Sequence, residues 1–195
     1  MKLAVISAGL GQPSSTRLLA DRLAEAATRQ ADATVQVIEL RELAVDIANN
    51  LVTGFAGARL RAAIDAVTEA DGVIAVSPIF TASYSGLFKS FIDVIENTAL
   101  VGKPVLIAAT GGTARHSLAL EHAMRPLFSY LRAVVVPTAV YAATADWGAD
   151  GEDDPLGARI ARAGEELAGL MLNRKPGGEV EEFVPFAQQL AALEQ

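Results

Sequence analysis

The chain has 195 residues, of which 51% are hydrophobic and 20% are charged, which is enough apolar material for one buried core. The formal net charge of −7 argues against nucleic-acid binding, and the absence of cysteine excludes disulfides, thiolate metal sites and a cysteine nucleophile. The longest uncharged stretch, residues 72–88, is interrupted by Pro78 and several hydroxyl side chains, so we expect no membrane span and a soluble, cytoplasmic protein.

Short apolar runs alternate with longer stretches of helical period along the chain. The predicted strands are residues 3–7, 34–39, 73–77, 105–110 and 134–136, with 139–141 as an extension of the last. Most of these runs are nearly continuous, as expected of strands that are covered on both faces. Each predicted helix carries an apolar stripe that includes, in chain order, Leu19 and Leu23, Leu60 and Ile64, Leu87 and Phe91, Leu120 and Met124, and Leu156 and Ile160. Five such βα units predict an α/β fold with an open five-stranded parallel sheet and helices on both faces.

Residues 1–172 are predicted to form one domain. Residues 173–195 contain the run Lys175-Pro176-Gly177-Gly178 and are predicted to form a linker and a C-terminal tail. Residues 144–155 form a polar loop with Trp147 and five acidic side chains. Ligands of open α/β sheets bind outside the carboxyl ends of the strands, so the loops after strands one, three and four are the segments to inspect for a site.

The loop after the first strand matches neither common phosphate-binding motif. Gly9 and Gly11 fit the first two glycines of a dinucleotide fingerprint, but Ser14 takes the third place, and no lysine is present for a Walker A motif. Ser14, Ser15 and Thr16 instead place three hydroxyls at the predicted start of a helix. Backbone N–H groups and the helix dipole favour an anion there. One hydroxyl is enough for a simple helix cap, so three favour a site for a phosphate monoester.

The loop after the third strand, residues 77–86, combines aromatic and hydroxyl side chains. Pro78 predicts an extended path that projects away from the sheet. Phe80 and Tyr84 offer aromatic faces, which suits a flat heteroaromatic ring with polar edges. An ordinary turn, in which Ser85 caps the next helix and Phe80 packs inward, explains this loop equally well.

The loop after the fourth strand contains Gly111 and Gly112. Glycine permits positive φ and a close approach of a ligand to the backbone, although a Gly-Gly pair is also a common turn. Three loops of this kind at one edge of the same sheet indicate a ligand site more strongly than any one of them.

Taken together, these segments resemble the NADPH-dependent FMN reductases of flavodoxin-like fold. The resemblance rests on the hydroxyl residues 14–16, on residues 77–80 and 84–93, and on residues 110–113 followed by His116, and it covers residues 1 to about 172. It is strongest to the branch that supplies reduced flavin to two-component monooxygenases, including those of sulfonate use. The resemblance implies the sheet order 2-1-3-4-5, FMN at the carboxyl ends of the strands, and a homodimer or homotetramer.

The resemblance also implies a role for individual positions. The phosphate of FMN would be held by Ser14, Ser15 and Thr16, with Gln12 beside them. The isoalloxazine would be lined by Pro78, Ile79, Phe80, Thr110, Gly111 and Gly112, with His116 at the mouth of the site. In sulfonate-type relatives the fourth helix carries a tyrosine in a π-helical insertion at the tetramer interface, and His122 stands at that place here. The first loop lacks an arginine that several relatives place before the hydroxyls, which leaves NADPH and NADH both open as the nicotinamide cofactor.

The implied activity is hydride transfer from NADPH or NADH to FMN, with the reduced flavin passed to a partner monooxygenase. The cofactors carry this chemistry, so no catalytic acid, base or metal site is expected of the protein. Two other functions fit the same sequence. One is an NAD(P)H-dependent quinone, azo-dye or metal-ion reductase that keeps FMN bound, and the other is an electron carrier of the flavodoxin type, whose flavin is reduced by another protein.

Overall fold

The computed structural model describes residues 1–148 and 154–173. The strands are β1 (Lys2–Ser7), β2 (Thr34–Glu39), β3 (Gly72–Phe80), β4 (Ser83–Tyr84), β5 (Pro104–Gly111), β6 (Val134–Val135) and β7 (Val140–Ala143). The α-helices are α1 (Ser15–Thr28), α2 (Ala44–Thr53), α3 (Ala58–Glu69), α4 (Gly86–Asp93), α5 (Arg125–Tyr130) and α6 (Pro155–Asn173). The predicted linker and tail lie outside the described residues, apart from Asn173 at the end of α6.

The strands form one sheet in the order β2-β1-β3-β5-β6, with all of these neighbours parallel. β7 also pairs with β5 in parallel, and β4 pairs with β3 antiparallel. The sheet therefore has seven strands, and the prediction of five is wrong in number. The fifth position is divided between β6 and β7, on either side of Pro137, and β4 is the return arm of a short hairpin. The predicted parallel α/β class with helices on both faces is confirmed.

Two apolar clusters cover the two faces of the sheet. One contains Leu19 and Leu23 of α1 with Ile160 and Leu167 of α6, and the other contains buried residues of α2, α3, α4 and α5. Successive residues of β1 alternate between the clusters, so that Leu3 and Val5 face α1 while Ala4 and Ile6 face the opposite layer. Burial on both sides accounts for the continuous apolar runs that predicted these strands.

Helix α2 (Ala44–Thr53) has no counterpart among the predicted helices. Ile47 is its buried residue, whereas Val45 and Val52 are exposed, so its apolar pattern does not describe a stripe facing the core. The helix ends at Gly54, whose φ of 77° gives a left-handed C-cap. The sequence feature that indicates α2 is therefore Gly54, which ends the helix, and not the spacing of its apolar residues.

Strand β3 continues through Pro78, contrary to the prediction that the loop projects away from the sheet at this residue. Pro78 is still in register with Thr110 of β5, and the strand ends at Phe80. The chain then reverses at Thr81 and Ala82, with φ values of 49° and 68°, and returns as β4. Two consecutive positive φ values are the geometry of a two-residue hairpin turn, here made without glycine.

The fourth predicted helix begins as a π-helical turn, Leu120–Met124, and becomes α-helical at α5. His122 lies in this turn and is exposed. Elsewhere, the buried Nζ of Lys103 donates hydrogen bonds to the carbonyl oxygens of Val67, Thr68 and Ala70, at 2.8, 2.7 and 2.9 Å. These bonds satisfy carbonyl groups that the end of α3 leaves free. Within the described ranges, no helix is long and apolar enough to span a bilayer.

Candidate flavin site at the carboxyl edge

A cavity of about 470 Å³ opens at the carboxyl ends of β1, β3, β5 and β7. Nine of the eleven residues predicted to bind the cofactor line it, namely Ser14, Ser15, Thr16, Pro78, Ile79, Phe80, Thr110, Gly111 and Gly112. The remaining lining residues are Gly9, Leu10, Gly11, Pro13, Thr144 and Trp147. The lining thus combines hydroxyl, glycine and apolar positions without a charged side chain, and its volume is typical of a small-molecule site.

The first loop ends at the N-terminus of α1, where Ser14 is the N-cap residue. The hydroxyl oxygen of Ser14 accepts a hydrogen bond from the backbone N–H of Arg17 at 3.2 Å. The simple capping role therefore holds for Ser14, whose hydroxyl proton stays available to another acceptor. A Cβ atom on Gly9 would lie 2.1 Å from this hydroxyl oxygen, so the loop needs glycine at that position. Ser15 is exposed, and its hydroxyl has no hydrogen-bond partner within the described part of the chain.

Thr16 and Thr110 connect the first loop to the end of β5. Both residues are buried, and their hydroxyl oxygens are 2.8 Å apart in a hydrogen bond. Whichever hydroxyl accepts this bond keeps its own proton for a further acceptor in the cavity. The two predicted binding segments are therefore in direct contact.

Charged side chains lie beside the first loop but are paired with one another. Arg41 donates to the carbonyl oxygen of Gly11 at 2.8 Å and forms an ion pair with Glu39. Glu39 also pairs with Arg17 of α1. The amide of Gln12 faces Arg41, with its oxygen 2.8 Å from Nη2 of the guanidinium group when the amide is oriented to accept. Gln12 therefore supports the loop from outside and does not line the cavity.

The hairpin after β3 presents Phe80 at the cavity, with 48% of its surface exposed. The alternative with Phe80 packed inward is therefore wrong, whereas the predicted cap is confirmed, because the Ser85 hydroxyl accepts from the N–H of Phe88 at 3.1 Å. The Ser77 hydroxyl accepts from the N–H of Ser85 at 2.9 Å and so fixes the base of the hairpin. Phe80 therefore lies in a hairpin whose base is held by the hydrogen bond between Ser77 and Ser85.

The glycines at the end of β5, Gly111 and Gly112, serve a purpose other than the one predicted from the sequence. Neither glycine has a positive φ, so the prediction that these positions need glycine for a positive φ is wrong. A Cβ atom on Gly111 would lie 2.1 Å from the hydroxyl oxygen of Tyr141, whereas one on Gly112 would meet no heavy atom within 4 Å. Tyr141 donates to the carbonyl oxygen of Thr113 at 2.9 Å, and burial, together with nearby Asp146, raises the pKa of its hydroxyl above the ordinary value. Gly111 therefore makes room for Tyr141, and Gly112 leaves open backbone at the cavity.

His116 lies on the exposed turn Ala114–His116 that follows these glycines and does not line the cavity. Thr144 and Trp147, by contrast, line it without having been predicted. They follow β7, whose residues Ala142 and Ala143 are in register with Thr110 and Gly111 of β5. The same rule that selected the other loops applies to this one, because β7 ends at the same edge of the sheet.

The residues present fit the FMN that the resemblance implies. A neutral cradle of hydroxyls and helix N–H groups suits a phosphate, the Gly112 backbone is open to close approach, and Phe80 offers an aromatic edge. Across the described residues, no cluster of histidine, cysteine or acidic side chains could hold a metal ion.

The fold and this site define a flavodoxin-like α/β protein with a cavity at the carboxyl edge of its sheet. The family model for NADPH-dependent FMN reductases matches residues 1–148, and the chain belongs to that family. An FMN reductase (NADPH) of Pseudomonas aeruginosa is 39% identical over 176 residues, which cover 89% of this chain and 94% of that protein. The NADH-dependent FMN reductase SfnF of Pseudomonas fluorescens is 38% identical over 172 residues, covering 87% and 91%.

Solved structures agree with this assignment. An oxidoreductase from Corynebacterium diphtheriae is 47% identical, has a TM-score of 0.85, and is matched over 89% of this chain and 98% of its own. The apo form of an NADH:FMN oxidoreductase, EmoB, is 28% identical with a TM-score of 0.75, covering 90% and 91%. The resemblance stated from the sequence is confirmed at the level of family and fold.

Proposed function

We propose that this protein is an NAD(P)H-dependent FMN reductase that supplies reduced FMN to a flavin-dependent monooxygenase. The observation that carries the proposal is an uncharged cavity that joins the hydroxyl cradle of α1 to the ends of β3 and β5. The membership in the FMN reductase family and the relatives named for this activity support it.

Different residues of the cavity would bind the phosphate and the ring of the flavin. Ser14, Ser15 and Thr16 would bind the phosphate, while residues 78–80 and 110–112 would line the isoalloxazine. Bound FMN supplies the hydride acceptor, N5 of its ring. The protein's own part is to orient the ring with backbone groups and to leave one face open for the nicotinamide, which requires no acid or base. Gln12 and His116 would act from outside this lining.

The nicotinamide cofactor is either NADH or NADPH. Relatives named for NADPH and for NADH are 39% and 38% identical to this chain, so similarity does not separate the two cofactors. The arginines beside the first loop, Arg17 and Arg41, are both paired with Glu39, which reduces the positive charge they offer to an additional phosphate. We expect NADH to be used at least as well as NADPH.

The partner monooxygenase and a homodimer or homotetramer are also part of the proposal. We propose that the reduced FMN formed by this chain passes to a monooxygenase. The similarity to the NADH-dependent FMN reductase SfnF of Pseudomonas supports the formation of that reduced FMN.

Self-association is supported by the exposed apolar side chains of α2 and its C-terminal loop, Val45, Val52 and Phe55. We propose that a second copy of the chain covers this surface. Sedimentation should then show a wild-type oligomer that Val52→Asp weakens, and a wild-type monomer would contradict the proposal.

Oxidation of NADH and NADPH, followed at 340 nm with FMN or a quinone as acceptor, tests the activity. The proposal predicts oxidation that depends on FMN and saturates with it, and no turnover of quinone without added FMN. Turnover of quinone by an enzyme that retains its FMN would favour the quinone, azo-dye or metal-ion reductase. FMN-loaded protein that oxidises neither nicotinamide cofactor would favour the electron carrier.

A further inference from the structure

Trp147 is the single tryptophan of the chain and lies on the wall of the cavity. It is half-buried and packs against the apolar cluster that α1 and α6 form on one face of the sheet. Its indole N–H has no hydrogen-bond partner among the described residues. An aromatic body on the core with an unused donor at a ligand cavity is the usual disposition of a binding tryptophan.

The turn that carries Trp147 is anchored through the neighbouring residue Asp146. Asp146 accepts a hydrogen bond from the backbone N–H of Ala143 at 2.8 Å, which ties the turn to the end of β7. The same carboxylate lies 3.6 Å from a guanidinium nitrogen of Arg159 in α6. The backbone next to Trp147 is therefore tied to β7 and α6 before any ligand binds, which limits the entropy that a contact would cost.

Trp147 and the hydroxyl cradle lie on the same face of the sheet. Trp147 packs on the α1 face, and the hydroxyl cradle lies at the N-terminus of that same helix. The indole is thus on the side of the cavity where the phosphate would bind.

We propose that Trp147 contacts the ribityl phosphate arm of bound FMN and closes the cradle on the side of β7. This inference rests on the proposed function, because it presumes that flavin occupies the cavity. The indole ring would cover the apolar carbons of the ribityl chain, and its N–H would donate to a hydroxyl or phosphate oxygen. Trp147 would thereby retain the flavin while taking no part in hydride transfer.

Binding of FMN to the full-length wild type, Trp147→Ala, Trp147→Phe and the control Tyr130→Ala tests the contact. Tyr130 is an aromatic residue with 77% of its surface exposed and does not line the cavity. The dissociation constant for FMN is expected to rise about tenfold or more in Trp147→Ala, to rise less in Trp147→Phe, and to change by less than about twofold in Tyr130→Ala. A folded Trp147→Ala protein that binds FMN like the wild type would overturn the inference.

The indole also gives a direct signature, since a single tryptophan produces one indole N–H peak in a ¹H–¹⁵N spectrum. FMN is expected to shift this peak, and nuclear Overhauser effects are expected between indole and ribityl protons. The inference would be overturned by an indole peak that does not shift at saturating FMN, or by nuclear Overhauser effects from the indole to the isoalloxazine methyl groups alone. This measurement uses the wild type, so it holds even if the alanine variant fails to fold. Wild-type protein that does not bind FMN overturns the proposed function itself, and this inference with it.

Discussion

The hydroxyl oxygens of Thr16 and Thr110 lie 2.8 Å apart in a buried hydrogen bond that joins the first turn of α1 to the end of β5. These residues are 94 positions apart in the sequence. One belongs to the proposed phosphate cradle and the other to the proposed ring site. The bond therefore ties the start of α1 directly to the end of β5 at the wall of the cavity.

Thr16→Val and Thr110→Val should each destabilise the flavin-free protein, because each leaves the other hydroxyl buried without its partner. The expected loss is about 1–3 kcal/mol in the free energy of unfolding measured with urea. The double variant should lose less than the sum of the single losses, since it removes both polar groups together. Strictly additive losses would show that the two hydroxyls do not depend on each other.

Gly111 and Gly112 offer a matched pair of substitutions. Gly111→Ala should cost about 1–3 kcal/mol of stability, because the new Cβ meets the Tyr141 hydroxyl 2.1 Å away. Gly112→Ala should stay within about 0.5 kcal/mol of the wild type, because its Cβ meets nothing within 4 Å. Thermal unfolding of the two variants measures the difference.

Tyr141→Phe supplies the control for this clash. It removes the hydroxyl oxygen nearest to the added Cβ, so the Gly111→Ala change should cost less in the Tyr141→Phe background than in the wild type. An equal cost in both backgrounds would place the origin of the defect elsewhere than at Tyr141.

Much of this arrangement follows from rules that apply to sequence alone. Continuous apolar runs identified the buried parallel strands, and the carboxyl-edge rule then directed attention to residues 14–16, 78–80 and 110–112, which the structure brings around one cavity. The capping role of Ser85 was predicted for the same reason, a hydroxyl directly before a helix. These features depend on local composition or on sheet topology.

Features that depend on tertiary contacts were not predictable in this way. The Thr81–Ala82 turn contains none of the residues that usually mark a hairpin, and α2 buries Ile47 but leaves Val45 and Val52 exposed. The need for Gly111 comes from Tyr141, 30 positions away, and not from its own φ. Trp147 was not predicted to line the site, because its loop is polar and acidic and was not among the loops inspected. That loop nevertheless begins at the carboxyl edge of the sheet, where the cavity lies.

Asp154 gives stability a dependence on pH that can be isolated. It accepts from the N–H of Gly157 at 2.8 Å and pairs with Arg22 of α1 at 3.0 Å. These interactions, the hydrogen bond from Gly157 foremost, hold the pKa of the carboxyl below its ordinary value of 3.8. Because the pKa is lower in the folded state, the stabilisation is present above pH 3.8 and is lost as the pH falls through the folded value.

Asp154→Asn should therefore unfold at a lower temperature than the wild type at pH 6, and the two melting temperatures should approach each other as the pH falls below 3.8. Thermal unfolding between pH 2.5 and 6 measures both proteins. A difference in melting temperature that stays constant over this range would show that the charge of Asp154 contributes nothing.

Affinities for FMN and riboflavin measure most directly whether neutral hydroxyls at the start of α1 bind the phosphate of FMN. Ser15 is the position to change, because its exposed hydroxyl has no other partner in the described part of the chain, whereas Ser14 also caps the helix. Ser129→Ala, at another exposed serine, is the control.

Wild-type protein should bind FMN more tightly than riboflavin, and Ser15→Ala should weaken FMN binding by about 1.5–3 kcal/mol while leaving riboflavin binding unchanged. Ser129→Ala should alter neither affinity. Equal affinities of the wild type for FMN and riboflavin, with no effect of Ser15→Ala on either, would show that these hydroxyls do not bind the phosphate.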